Sequence, residues 1–482
     1  MSNPYCALPH SVRLSLEFPF LICYDLGNLA AEVEKMAKDM TVGSPARAML
    51  LFTLPMVAGN LFQQMYNVAD SVIVGNFVGA DALGAVGVTS SVTFLFVALA
   101  TGASLGASVV ISQLYGAREI QRMQTAIVTT LWSVLVLALV LMGLGLALCT
   151  WLLRALSTPP EAFADAEAYL RIYLYGTLFL FYYNGFNAVY HALGDSKTPL
   201  LFLIFSSVLN VGLDLYMVIV LQMGVAGAAW ATVISQALAA ALSGLVLRRR
   251  LRQAQINLQG ARFDRHCLVM LGRSAVPSTI QQSIVSLGTL LVQSVINSFG
   301  VVVLSGCSAA SKVDNIAMTP IANVANAMGN YTAQNMGAKK PERIPAGLRA
   351  GILINLGIVL VIFCILQLFP AQLVGAFVDT DLTDPEVISV GVTYLRIFSC
   401  INILFALMTI LNGVLKGAGD LRWFLFITVL NLGVRVVAAF LLAAPLGWTA
   451  VCWSQLIGWL SGLAVVLPRY CSGRWRQKSL IS

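Results

Sequence analysis

Two aspartates lie within long apolar segments of the chain, where an ionised side chain is costly. Asp70 occurs in QQMYNVADSVIVG and Asp214 in VLNVGLDLYMV. A carboxylate inside a membrane-spanning helix usually serves a function, because it can bind a proton or coordinate a cation. The two acids therefore predict a site for H⁺ or Na⁺. The alternatives are a structural hydrogen-bonding role and a position at the membrane interface.

Other polar residues and one proline share these apolar segments. Asn210 precedes Asp214 by one helical turn, so both side chains face the same way. Pro55 lies far enough inside the segment of Asp70 to permit a kink, although a first-turn proline is the alternative. Asn184 and Asn187 fall in a later segment, where hydrogen bonding between helices explains them equally well.

A second charged spot lies in the C-terminal half of the chain. Lys312 and Asp314 are two residues apart near the start of an apolar segment. We favour a mutual ion pair at the membrane interface, and the alternative is that they line a cleft. The spacing of Gly102 and Gly106 indicates close helix packing rather than chemistry.

Composition shows which elements must position these residues. Of 482 residues, 58% are hydrophobic and 10% charged, whereas soluble proteins carry about 25% charged residues. Apolar runs of bilayer-spanning length, such as 130–148 and 350–369, predict transmembrane helices rather than a barrel. Nine scattered cysteines, three histidines and no phosphate-binding loop argue against an enzyme, a metal centre or a cofactor.

The hydropathy pattern predicts twelve spans. They lie at about 47–73, 84–112, 124–150, 166–190, 199–221, 226–247, 274–298, 304–333, 347–370, 388–413, 424–444 and 448–468.

Charge asymmetry orients these spans. Alternate linkers are basic, with Arg118, Lys339 and the run 248–252, whereas the intervening linkers are rich in acids. The acids are Asp81, Glu161, Asp165, Asp379, Asp381, Asp384 and Glu386. The positive-inside rule then predicts an inner-membrane protein with both termini cytoplasmic. The net charge of +8 is a topology signal that also attracts anionic lipid, not a nucleic-acid footprint.

The two halves of the chain are an internal repeat. The loop QLYGAR at 113–118 returns as QNMGAK at 334–339, and the run 169–172 returns at 394–397. Asn210 has Asn431 as its counterpart, but Arg435 stands where the first half has Asp214. Six spans per half give both halves the same orientation. The acids are therefore a specialised feature of the N-terminal half.

This pattern predicts an all-α membrane protein of two parallel six-helix repeats with a cleft between them. The domain boundaries are an N-terminal extension at 1–45, an N-lobe at 46–247, a basic cytoplasmic linker at 248–273, a C-lobe at 274–468 and a basic tail at 469–482. We expect the extension to be disordered and the residues before Met40 to be dispensable.

From residue 42 to about 470 the chain resembles the MATE (multidrug and toxic compound extrusion) family. The resemblance rests on GSPARAMLLFTLPMVAGNLFQQMYNVADSVIVG, the QLYGAR and QNMGAK loops, and HALGDSKTP, and it looks closest to DinF-like members. It implies a cation site in the N-lobe formed by Asp70, Asn210, Asp214 and Thr232. It also implies a substrate cavity lined by Pro55, Tyr66, Asn184 and Asn187. The seventh span has Gln281, Gln282 and Gln293 but no acid, unlike another branch of the family.

The resemblance implies secondary active efflux of small, cationic amphipathic molecules, driven by H⁺ or Na⁺ antiport with alternating access. It implies no cofactor, and it indicates no oligomeric state. The alternative transporter is a flippase for lipid-linked precursors from the wider superfamily, and a sensor without transport is a third class.

Overall fold

A computed structural model describes residues 39–481 of the chain except 79, 157, 257 and 378–384. The described residues form helices and no strand. The twelve long helices are α1 (Pro45–Phe77), α2 (Ala80–Gly116), α3 (Ile120–Ala155), α4 (Pro160–Ala192), α5 (Lys197–Asp214), α6 (Gly224–Gln253), α7 (Arg265–Asn297), α8 (Val301–Gly337), α9 (Ile344–Leu368), α10 (Pro385–Ala418), α11 (Leu421–Leu446) and α12 (Ala450–Cys471).

Most of these helices are long and apolar enough to cross a bilayer. Nine ranges of the described chain meet that standard, and the last, 421–471, contains both α11 and α12. A core of about 30 Å needs about 20 apolar residues. The helices α4 and α8 fall outside the nine ranges. The prediction of an all-α, multi-pass membrane protein is confirmed.

The helices form two lobes, α1–α6 and α7–α12, which meet through repeat-related contacts. Helix α1 packs on α8, and α7 packs on α2. The ends of α2 and α8 also meet, because Gly116 lies against the Gln334 carbonyl and Gly337 against the Gln113 carbonyl. The two repeated loops therefore lie at one end of the molecule, as expected for repeats of the same orientation. We call this end the terminal face.

Gly102 and Gly106 lie at a second close contact between the two lobes. Gly102 faces the backbone of Thr279, and Gly106 faces the backbone of Ala275, so α2 and α7 touch without intervening side chains. This contact confirms the prediction of close packing at that spacing.

An aspartate that recurs in both halves has a structural role in each lobe. The Asp195 carboxylate accepts hydrogen bonds from the backbone N–H groups of Lys197 and Thr198 at the start of α5, and it pairs with Arg250 of α6. Its counterpart Asp420, before α11, pairs with Arg469 of α12 at 2.6 Å. Each lobe thus ties the beginning of its fifth helix to the end of its sixth.

The helices run further than the predicted spans. Helix α6 ends at Gln253 and α7 begins at Arg265, so the non-helical part of the basic linker is shorter than 248–273. Hydropathy detects only the part of a helix that lies in the hydrocarbon, whereas the backbone hydrogen bonds continue into the polar region. The basic tail is also packed, because Trp475 is fully buried.

Residues 1–38, most of the predicted disordered extension, lie outside the described residues, but the following residues are packed. Asp39 pairs with Arg118, and Met40 is buried with its N–H donated to Gln334. Asp39 was predicted to be dispensable, and this contact shows that it belongs to the folded unit.

We expect removal of residues 2–38 to leave membrane insertion and efflux unchanged, whereas removal of 2–43 should impair efflux. Expression and transport of the two truncated proteins are the measurements.

Candidate functional site

Asp70 and Asp214 meet inside the N-lobe. Asp70 is near the end of α1, Asp214 is the last residue of α5, and their carboxyl groups are close enough to interact. Asp214 is fully buried. No described group donates a hydrogen bond to either oxygen of Asp214 or to Oδ1 of Asp70. Because two carboxylates can only accept hydrogen bonds, this pair is satisfied when a proton or a metal cation joins it.

Three neighbouring side chains complete a cluster of oxygens. The Asn210 amide donates to the Thr232 hydroxyl at 3.3 Å, which leaves the Asn210 oxygen without a described donor. The Tyr66 hydroxyl lies 3.5 Å from the same threonine oxygen. Carboxylate, amide and hydroxyl oxygens are ligands suited to a hard cation. The structure therefore brings together Tyr66 and all four residues of the predicted cation site.

Two buried tyrosines, which the sequence did not indicate, lie beside this cluster. Tyr169 and Tyr173 of α4 stack with their ring centroids 6.5 Å apart, and the neutral Tyr169 hydroxyl is near Asp70 and Asp214. They pack with Val218, Val225 and other apolar residues. The sequence showed Tyr169 only as part of a repeated run. An apolar wall keeps water away and strengthens the electrostatic attraction of a bound cation.

The backbone changes its helical form directly after Asp214. Residues Leu215–Val220 form a π-helical segment, and α6 begins four residues later. π-Helical turns are rare and frequently occur at functional sites. The apolar run LYMVIV gave no sign of this change, because it is equally compatible with an α-helix.

Pro55 lies well inside α1, ten residues after its first residue, so the alternative of a first-turn proline is wrong. Its ring removes the hydrogen bond that the Leu51 carbonyl would otherwise accept. The next turn of α1 is bonded to the other lobe. Asn323 of α8 donates to the Met56 carbonyl at 3.3 Å and accepts from the Asn60 amide at 2.9 Å. The sequence did not identify Asn323.

Asn184 and Asn187 are not part of the oxygen cluster. They follow Tyr173 on α4 by eleven and fourteen residues, which corresponds to about 16–21 Å along the helix. The Asn184 amide donates to the Leu180 carbonyl of its own helix at 2.9 Å, and Asn187 lies beside Tyr183. Their predicted role in a substrate cavity stays a prediction.

The C-lobe contains a related cluster with a different charge. Tyr394, Asn431 and Arg435 are the counterparts of Tyr169, Asn210 and Asp214. Arg435 lies near the buried Asp314 of α8, although no ion pair joins the two within the described part of the chain. A positive charge thus occupies the position at which the N-lobe has an acid.

The predicted ion pair between Lys312 and Asp314 is wrong. Among the ion pairs of the described residues none involves Lys312, whose ammonium group lies 5.6 Å from the centroid of the Phe377 ring. Residues two positions apart on a helix point in different directions. Asp314 accordingly faces the interior of the C-lobe, where it is buried.

Comparison with known sequences finds one family over most of the chain. The MatE family model matches residues 55–216 and 277–441. The chain is 30% identical to the probable multidrug resistance protein YpnP of Bacillus subtilis (strain 168), over 92% of this chain and 99% of that protein. It is 23% identical to the probable multidrug resistance protein NorM of Thermotoga maritima, over 90% and 94%.

Solved structures share the fold. A multidrug resistance MATE family transporter in an outward-facing conformation superposes with a TM-score of 0.83 at 24% identity, over 91% of this chain and 98% of that chain. A transporter of the MOP superfamily from Pyrococcus furiosus superposes with a TM-score of 0.83 at 23% identity, over 92% and 98%.

Proposed function

Because this chain belongs to the MatE family of membrane transporters, we propose that it exports small organic molecules in exchange for H⁺ or Na⁺. The observation that carries the proposal is the pair formed by the fully buried Asp214 and the partly buried Asp70. No described group donates a hydrogen bond to either oxygen of Asp214 or to Oδ1 of Asp70. A site that needs a cation to be satisfied is suited to binding one on one side of the membrane and releasing it on the other.

The mechanism follows from the place of the pair in the lobe. Asp70 and Pro55 are on the same helix, fifteen residues apart, so the two are separated by about 22 Å. Cation binding at Asp70 changes the charge at one end of α1, and the irregular backbone at Pro55 lets the other end change its angle against α8. Antiport requires only that cation and substrate prefer different arrangements of the lobes.

We propose that the substrates are cationic and amphipathic. The relatives are named multidrug resistance proteins, and the unpaired acids of the N-lobe favour positive charge. The cavity would be lined by Pro55, Tyr66, Asn184 and Asn187. We also propose that the chain is a DinF-like member, and the position of the cluster in the N-lobe and the lack of an acid in α7 support this.

Efflux from proteoliposomes tests this function. Purified protein should drive loss of a fluorescent organic cation when a pH gradient or a Na⁺ gradient is imposed, and each gradient is applied alone to identify the coupling ion. Efflux with neither gradient would contradict the proposal. The flippase alternative lacks support, because the deep charges of the N-lobe are acidic, and it predicts movement of a lipid-linked anion instead.

We propose that the terminal face is cytoplasmic, which places both termini inside. Arg118, Lys339 and Lys340 lie at this face, near the beginning of α1 and the end of α12. The acids predicted to face outward include Asp379, Asp381 and Asp384, which lie outside the described residues.

Cysteine labelling of intact cells gives the expected topology. In a protein without its exposed native cysteines, a membrane-impermeant thiol reagent should label neither Arg118→Cys nor Lys339→Cys. The matched variants Asp81→Cys and Asp381→Cys should be labelled, because their loops are predicted to face outward. Labelling of Lys339→Cys but not of Arg118→Cys would contradict a parallel repeat.

A further inference from the structure

The repeated loops at the terminal face each carry a buried glutamine that reaches the opposite lobe. Gln113, near the end of α2, donates from Nε2 to the Gly417 carbonyl of α10 at 2.9 Å. Gln334, near the end of α8, donates from Nε2 to the Ala192 carbonyl of α4 at 2.8 Å. Both side chains have no exposed surface. The two hydrogen bonds are related by the internal repeat, and each crosses between the lobes.

The oxygen of each glutamine amide is held by a terminal segment of the chain. Met40 donates its backbone N–H to Oε1 of Gln334 at 3.0 Å, and Leu480 donates its backbone N–H to Oε1 of Gln113 at 3.0 Å. A backbone N–H can only donate and a carbonyl can only accept, so the orientation of each amide is determined by its partners.

The terminal segments are crossed between the lobes. Met40 and Thr41 precede α1 of the N-lobe but bond to the C-lobe, where the Asn335 amide donates to the Met40 carbonyl and Lys340 donates to the Thr41 carbonyl. Residues 474–481 follow α12 of the C-lobe but bond to the N-lobe, where Arg122 donates to the Ile481 carbonyl at 3.1 Å. Each segment therefore tethers its own lobe to the other.

We propose that Gln113 and Gln334, with the two terminal segments, form a crossed latch that holds the lobes together at the terminal face. The two glutamines are positioning residues for transport. This proposal rests on the proposed function, in which the lobes part at this face once in each cycle. Opening exposes to water the two carbonyls and the two backbone N–H groups that bind the glutamines. The latch therefore determines how often the lobes open at this face.

A cysteine introduced at a buried position measures that opening. Ser112 of α2 is fully buried and lies near Asn330 of α8, so Ser112→Cys provides a thiol, here called the reporter cysteine, that should react with a water-soluble thiol reagent only when the lobes part. The full-length protein is used with serine at Cys6, Cys23, Cys364, Cys400 and Cys471. Buried Cys149 and Cys307 remain as indicators of unfolding, and labelling is read for each site by mass spectrometry.

Gln113→Ala or Gln334→Ala should each increase the labelling rate of the reporter cysteine about tenfold. Each variant leaves the carbonyl and the N–H that bound the glutamine unpaired in the closed state, whereas water satisfies both groups in the open state. Cys149 and Cys307 should stay protected, which separates opening from unfolding. Gln121→Ala, at an exposed site at the start of α3 on the same face, is the matched control and should change nothing.

Removal of residues 479–482 tests the pairing within the latch. It deletes the N–H that Leu480 donates to Gln113 together with the Ile481 carbonyl that Arg122 binds, so it should raise the labelling rate less in Gln113→Ala than in Gln334→Ala. In Gln334→Ala it should multiply the labelling rate by a further factor of about ten, because that glutamine belongs to the other half of the latch. Equal effects in both backgrounds would overturn the proposal.

Labelling requires neither gradient nor substrate, so it is independent of the coupled reaction. If neither glutamine variant exceeds Gln121→Ala in labelling of the reporter cysteine while wild-type efflux follows a cation gradient, the latch is wrong and the proposed function stands. If the glutamine variants respond as expected while neither gradient drives efflux, the latch stands and the proposed function is wrong.

Discussion

Asp70→Asn or Asp214→Asn should greatly slow gradient-driven efflux while leaving the protein folded in the membrane. Asparagine keeps the size of the side chain but removes the negative charge that a cation would neutralise. The remaining carboxyl group then lacks the second acid with which it would share the cation. We expect the gradient-driven rate to fall about 10- to 100-fold, the usual range of a coupling energy. The measurement is efflux from proteoliposomes containing equal amounts of each protein.

Glu167→Gln is the matched control for these two variants. Glu167 lies in the same lobe on α4, where it forms an ion pair with Arg171 at 2.8 Å. This ion pair is at the surface and not in the buried cluster. Its neutral variant should transport at the wild-type rate, since surface ion pairs contribute little. Wild-type efflux by both Asp70→Asn and Asp214→Asn would show that the pair is not the coupling site.

Much of the architecture could be predicted because its signals are linear along the sequence. Apolar runs of bilayer length indicated the helices. The repeat was indicated by motifs such as QLYGAR and the run 169–172, which return in the second half at nearly the same offset. The helical spacing of Asn210 and Asp214 likewise placed two site residues on one face. Asp70 could be connected to them only through the family resemblance, because the contact between α1 and α5 is not local in sequence.

The features that were missed depend on packing between distant segments. Asn323 is an unremarkable polar residue in α8 until its amide is seen to bond the turn of α1 after Pro55. Tyr169 and Tyr173 are ordinary aromatic residues of an apolar helix. The pairing of Lys312 with Asp314 failed for the opposite reason, because adjacency in sequence was taken as adjacency in space.

Gly116→Ala or Gly337→Ala should force the lobes apart at the terminal face. A methyl group on Gly116 would overlap the Gln334 carbonyl oxygen, and one on Gly337 would overlap the Gln113 carbonyl oxygen. Both obstacles are backbone atoms of helices, which cannot rotate away as a side chain can. Overpacking of this kind costs about 3 kcal/mol, and that energy corresponds to a shift of about 100-fold toward the open arrangement.

The same labelling of the reporter cysteine measures the shift, with Gly143→Ala of α3 and Gly357→Ala of α9 as matched controls. Both control glycines are in long helices, and a methyl group on either would meet nothing within 4 Å. Alanine also favours the helix by about 1 kcal/mol relative to glycine, so the controls should be neutral or stabilising. The cost at Gly116 and Gly337 is therefore steric and specific to the crossing of α2 and α8. Unchanged labelling of the reporter cysteine in both Gly116→Ala and Gly337→Ala would mean that the helices do not approach as closely as described.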